Sequence, residues 1–186
     1  MAFWGQGMDS GKSDPKRKFR FKIEIKDLGG GAAGVWYAKT CGKPTINVSA
    51  DTEHKYLGHT FKFPGSVSWD DIEVTLVDPG GDNDAATSLL RIVELAGYEF
   101  PRDTNDLKTI SKGKAVEGLQ KVHIYQLDGN GAVVERWDLH NPFISKISFG
   151  DLDYGDDGLT ELGLTLTYDW AELSNVTDGS SLYFEG

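Results

Sequence analysis

The sequence predicts a mainly β domain, an antiparallel sandwich or partly open barrel of roughly seven to nine strands with one flanking helix. Two observations carry this. Strand-length segments with alternating apolar and polar residues recur from Lys18 to Trp170, separated by glycine, proline and asparagine breakers. Against them stands a single stretch, DNDAATSLLRIVELAG, with the period of an amphipathic helix.

The elements follow in order. Residues 1–16 are rich in Gly, Ser, Asp and Lys, reach Pro15, and predict a flexible arm. The β domain is expected over residues 17–173, and residues 174–186 form a C-terminal tail. KFRFKIEIK alternates strictly, with Phe19, Phe21, Ile23 and Ile25 on one face and Lys18, Arg20, Lys22, Glu24 and Lys26 on the other. Further strands are predicted in GVWYAKT, PTINVSA, HTFKF and DIEVTLV, the last with Ile72, Val74 and Leu76 inward. Along the helix, Ala85, Leu89, Ile92, Val93 and Ala96 form one stripe; Asp82, Asn83 or Asp84 can cap its start and Gly97 its end. The polar stretch from Pro101 to Gln120 reads as a long loop. VHIYQLD and AVVERWDL are then joined by DGNG, a hairpin signal because Gly129 and Asn130 tolerate positive φ. PFISKISF and LTELGLTLTYDW complete the set, the latter as one strand with Leu162, Leu164, Leu166, Tyr168 and Trp170 on one face.

The net charge of −10 disfavours a phosphate backbone as a binding partner unless the bases cluster. They do so in part. From Met1 to Lys26 there are seven basic residues against three acids, whereas after Lys146 there are nine acids and no Lys or Arg. Either these are two solvated ends, or one end meets the other within a subunit or between neighbours. Cys41 is the sole cysteine, so no intrachain disulfide can form, which fits a reducing compartment. No run approaches the ~18 apolar residues of a membrane helix, and the first residues lack the pattern of a standard secretion signal. Membrane insertion is not expected.

Local chemical motifs fail on spacing. GQGMDSGKS ends like a phosphate-binding loop, yet Gln6 occupies the position of its first glycine. Gly29–Gly34 satisfies G-x-G-x-x-G, but VWY resumes a strand pattern where a helix should open, so a hairpin loop is predicted. Asp151, Asp153, Asp156, Asp157 and Glu161 have the density of a calcium loop, but the twelfth position is Leu162 counted from Asp151 and Leu164 counted from Asp153. A strand-linking turn is favoured. His54, His59, His123 and His140 show no zinc spacing, and no serine sits in a nucleophile elbow. No catalytic, cofactor or metal residue is assigned.

YLGHTFKFPGSVSWDD remains to be explained: aromatic rings crowd beside Gly and Pro, where no long element can form. The blocks KFRFKIEI, YLGHTFKFPGSVSWDDIEVTL, AATSLLRIVELAG, IYQLDGNGAVVERWDLHNPFI and FGDLDYGDDGLTELGLTLTYDW, in this order, resemble the tail tube protein of contractile-tailed bacteriophages from about Lys18 to Leu173. SWDDIEVTL, WDLHNPFI and LTLTYDW are the most telling. The resemblance implies hexameric rings stacked into a hollow tube inside a contractile sheath, through which DNA passes. Its implied partners are other copies of itself, the tail sheath protein, and baseplate and tail-terminating proteins. Its implied place is the tail of a virion assembled in the host cytoplasm. A tube subunit of a secretion or bacteriocin-like contractile injection system is the related alternative. The resemblance places an extended hairpin or loop contacting the adjacent ring at the aromatic segment, with Tyr56, Leu57, Phe61, Phe63 and Pro64 as anchors. The alternative is that Phe61, Phe63 and Trp69 are core residues, Phe63 and Trp69 above all. For the tube lumen, the polar faces of two strands are candidates: Asp71, Glu73 and Thr75, and Glu161, Thr165, Thr167 and Asp169. They carry acids and hydroxyls, so DNA would slide rather than stick; the competing lining is Lys18, Arg20 and Lys22. A reading of another class is a carbohydrate-binding sandwich with exposed Trp36, Tyr37 and Trp69 stacked on sugar rings.

Overall fold

A computed structural model describes residues 15–25, 38–50, 52–79, 84–103 and 108–175. Ahead of the helices come β1 (Phe21–Ile25), β2 (Ala38–Cys41), β3 (Ile46–Val48), β4 (Thr52–Tyr56), β5 (His59–Phe63), β6 (Val67–Trp69) and β7 (Ile72–Val77). Helices α1 (Ala85–Leu95) and α2 (Lys112–Leu119) follow. Then come β8 (Val122–Leu127), β9 (Val133–His140), β10 (Phe143–Ser148), β11 (Glu161–Thr167) and β12 (Trp170–Asn175). One four-stranded sheet has the order β1-β8-β9-β12 and the other β10-β11-β7-β2, with every pair antiparallel. The fold is therefore mainly β, an antiparallel sandwich with helices attached, as the sequence predicts.

The two-residue period fills the space between the sheets. Ile23 and Ile25 of β1, Val122 and Ile124 of β8, Ile72, Val74 and Leu76 of β7, and Leu162, Leu164 and Leu166 of β11 are all buried in one cluster. Leu89 and Ile92 of α1 join it. Burying each of these side chains stabilises the fold by about 1.5–3 kcal/mol. Of the caps foreseen for α1, Asp84 is used, accepting from the Ala86 amide at 3.1 Å. The helix ends with the Gly97 and Tyr98 amides donating to the Glu94 and Val93 carbonyls, the hydrogen bonds of a Schellman motif.

Several elements differ from expectation for identifiable reasons. More strands form than predicted, because the short β4 and β6 pair into ribbons outside the main sheets. The strand expected from Lys18 starts only at Phe21, since the Arg20 amide turns back onto the Arg17 carbonyl and leaves Phe19 exposed. LTELGLTLTYDW is two strands. Tyr168 is buried as foreseen, but Asp169 turns the chain, and Trp170 is 44% exposed and stacks on His140 with centroids 4.8 Å apart. Within the predicted long loop lies α2, capped by Ser111. Two glycines in KGKAVEGL weaken its helical signal. Gly118 allows α2 to sit close on α1, where a Cβ would stand 3.3 Å from the Ile92 carbonyl. In DGNG, neither Gly129 nor Asn130 takes the positive φ; Gly131 does, at 81°. The Asp128 carboxylate holds the turn by accepting from the Asn130 and Ala132 amides, both at 2.8 Å.

The glycine-rich hairpin loop, Trp36, Tyr37, Asp82, Asn83 and most of the N-terminal arm lie outside the described residues.

Candidate functional site

Between β2 and β7 the chain leaves the sandwich. The stem pairs Ile46 with Trp69 and Val48 with Val67, and beyond it β4 and β5 pair from Thr52↔Phe63 to Tyr56↔His59. Every residue of both β4 and β5 is exposed. Register sorts the ribbon into two faces. One carries Thr52, His54, Tyr56, His59, Phe61 and Phe63; the other carries Glu53, Lys55, Thr60 and Lys62, with Lys62 Nζ 3.6 Å from Glu53 Oε1. Phe61 and Phe63 are 51% and 52% exposed, so neither is a core residue. Trp69 does pack against the core, its ring 6.1 Å from that of Tyr168. Pro64 follows β5 and is exposed.

At the tip, Leu57 and Gly58 have φ of 47° and 78°, the two positive values of a type I′ turn. Leu57 breaks two local rules, since a branched side chain in this region costs about 1–2 kcal/mol and it stands 80% exposed. Such a conflict marks a site selected for something other than the stability of the free subunit. Replacing Leu57 with asparagine, which accepts positive φ, is expected to raise subunit stability by up to about 1 kcal/mol in thermal melts. It should weaken any contact made through the tip.

The expected lumen residues fall only partly together. Thr165 stands opposite Glu73 and Gly163 opposite Thr75, which puts Glu73, Thr75, Glu161, Thr165 and Thr167 on the outer face of the second sheet. Asp71, exposed, leads into β7. That face is not free of bases. Lys146 of β10 is opposite Thr165, and Lys39 of β2 pairs with Glu161. Asp169 sits in the turn before β12, where Lys112 Nζ and Asn141 Nδ2 donate to it at 2.7 and 2.8 Å and hold its carboxyl below the ordinary value. Of the competing basic residues, Lys18 and Arg20 precede the strand, and only Lys22 is on β1, its Nζ 4.3 Å from the centre of the Tyr125 ring.

A buried charge was missed in the sequence. Glu135, on the inward face of β9, is 7% exposed. Burial alone would raise its pKa. Hydrogen bonds from Lys16, from Lys43 at 2.7 Å and from Trp137 Nε1 at 2.6 Å more than offset that and hold the carboxyl at about 2. The carboxylate thereby ties Lys16, ahead of β1, and Lys43, after β2, to the sheet. The signal was available: Val133, Glu135, Trp137 and Leu139 share one face of AVVERWDL, and an acid there needs a partner. Asp153 and Asp156, expected in a strand-linking turn, accept from the Gly155 and Gly158 amides, both at 2.9 Å. Among the described residues, no group of three or more His, Cys, Asp or Glu is placed to hold a metal ion.

No family model matches the chain, and no curated protein does. Solved structures do. The tube-terminating cap of the anti-feeding prophage superposes with a TM-score of 0.63 at 16% identity, over 93% of this chain and 99% of that one. A chain of the same particle's baseplate, solved with six-fold symmetry, gives 0.58 at 15% identity over 89% and 99%. A chain of the sheath–tube complex of the extracellular contractile injection system PVC gives 0.57 at 17% identity over 87% and 93%. At these identities the likeness is one of fold, and the fold is that of components of contractile injection systems, as the resemblance of the sequence blocks implies.

Proposed function

We propose that this chain is the structural subunit of a contractile tail tube, forming hexameric rings that stack around a central channel. The observation that carries the proposal is the ribbon of β4 and β5, whose aromatic face has no partner within the described subunit. A two-stranded ribbon is marginal by itself in water, and one with an apolar face and a strained apolar tip is explained by a neighbour that covers it. Tyr56, Leu57, Phe61, Phe63 and Pro64 are the anchors of that inter-ring contact. The sandwich also presents the edge strands β1 and β12 in one sheet and β10 and β2 in the other. Edges paired around a closing rotation give a ring. The six-fold baseplate that shares this fold supports six as the number.

In this reading the tube belongs to a bacteriophage tail, sits inside a sheath between baseplate and tail-terminating proteins, and conducts DNA when the genome is ejected. It is assembled in the host cytoplasm and carried in the virion. The lumen wall is the outer face of β7 and β11 with Asp71, Glu73, Thr75, Glu161, Thr165 and Thr167. Asp169, held by Lys112, is the weakest member of that set. The injection-system fold of the superposed proteins favours a second reading, a tube in a secretion or bacteriocin-like device. Negative-stain microscopy of concentrated protein, with and without a nucleating baseplate, tests the common core of both. Six-membered rings and tubes are expected; a population that stays monomeric in both conditions would contradict the proposal.

A further inference from the structure

We propose that a groove between β1 and β2 receives the acidic loop joining β10 to β11 of a second copy of this chain, in a head-to-tail contact. The proposal rests on the tube-subunit reading and supplies its lateral contact within a ring. The groove measures about 590 Å³, a size typical of binding clefts. Phe21, Cys41 and Ile124 give it an apolar floor, with Lys18 and Phe19 on the rim. Lys18 on the rim, and Arg17 and Arg20 next to it in the chain, have no carboxylate partner among the described residues. Lys39 and Lys43, also on the groove, are already bound to Glu161 and Glu135. The surplus positive charge therefore lies on the β1 side.

The loop is its complement. Asp151, Asp153, Asp156 and Asp157 hold no base among the described residues, while Leu152, Tyr154 and Leu159 stand almost wholly in water. An exposed tyrosine between leucines and acids is poor surface for a free subunit and a good anchor for a basic cleft with an apolar floor. Placement decides who fills the groove. The second sheet has the order β10-β11-β7-β2, so the loop leaves the far edge at β10 and returns at β11, where Glu161 reaches Lys39 of the groove; yet Leu152, Tyr154 and Leu159 stay exposed, so the subunit's own loop does not fill its groove. Complementary charges on two different surfaces of one chain make a heterologous contact, the kind that repeats around a ring rather than stopping at a dimer.

Disulfide trapping tests this on the full chain. In a Cys41→Ser background, Lys18→Cys and Tyr154→Cys are combined and oxidised with diamide at concentrations where the parent forms rings. Non-reducing electrophoresis should show a ladder from dimer upward that reductant collapses, while either cysteine alone should stop at dimer. A product linked only within one chain, or no ladder from protein that still forms rings, overturns the contact and leaves the tube reading standing. Parent protein that forms no rings with or without a nucleating baseplate removes both. Charge reversal provides an arm independent of oxidation. Asp153→Lys with Asp156→Lys, or Lys18→Glu with Arg20→Glu, should each cut the ring fraction by about tenfold or more, and an equimolar mixture of the two proteins should restore alternating rings. Rings unaffected by either reversal, or not restored by mixing, overturn the proposal.

Discussion

Replacing Tyr56 and Phe61 together with aspartate abolishes stacking while the subunit stays folded. Both side chains are exposed on one face of the ribbon, so the free subunit loses little: about 1 kcal/mol or less, chiefly from strand propensity. The assembled state loses far more. Each docked ribbon would carry two carboxylates into a contact made for rings, at a cost of several kcal/mol, and the penalty repeats around every ring. Circular dichroism and thermal melting should match the parent, and microscopy should show separate rings without tubes. Unfolded protein would instead place these side chains in the subunit core, and intact tubes would remove the ribbon from the contact.

Neutralising Glu135 has the second largest effect, and this one falls on folding. Glu135→Ala leaves Trp137 Nε1 without its acceptor and releases Lys16 and Lys43. Both lysines are about half in water, so part of the loss is recovered by hydration, and a destabilisation of about 2 kcal/mol is expected. Glu135→Gln separates charge from packing and gives the pH signature. A carboxyl held at about 2 against an ordinary 4.5 stabilises the folded state fully above pH 4.5, and that contribution is lost as pH falls through about 2. Denaturant titrations of parent and Glu135→Gln should therefore differ by a constant amount at neutral pH and converge as pH falls from 4.5 to 2. A difference independent of pH across that window would remove the ionised carboxylate from the account.

What the sequence disclosed follows from which forces act locally. Buried strands such as IEVTLV and ELGLTLT impose their period on every residue, and both were legible. From its residues the ribbon was legible as an aromatic segment with the strand HTFKF, and only the resemblance implied a hairpin or loop there, because TEHKY is not a strand by composition. It is held by pairing with HTFKF and by a Leu-Gly turn that carries no conventional signal. α2 was hidden because two glycines weaken its helical signal, and one of them, Gly118, is set against α1, a tertiary demand. The split at Asp169 arises from Lys112 and Asn141, both distant in sequence. Sites assembled from segments distant in sequence, such as the lysine partners of Glu135 and the β1–β2 groove, become visible only with the topology.

A cryo-electron microscopy map of the assembled tube tests the central claim most directly. The β4–β5 ribbon should cross into the adjacent ring with the face of Tyr56, Phe61 and Phe63 covered by that ring and Leu57 inserted at its tip. A tube in which the ribbon points into solvent, with those side chains uncovered, would contradict it.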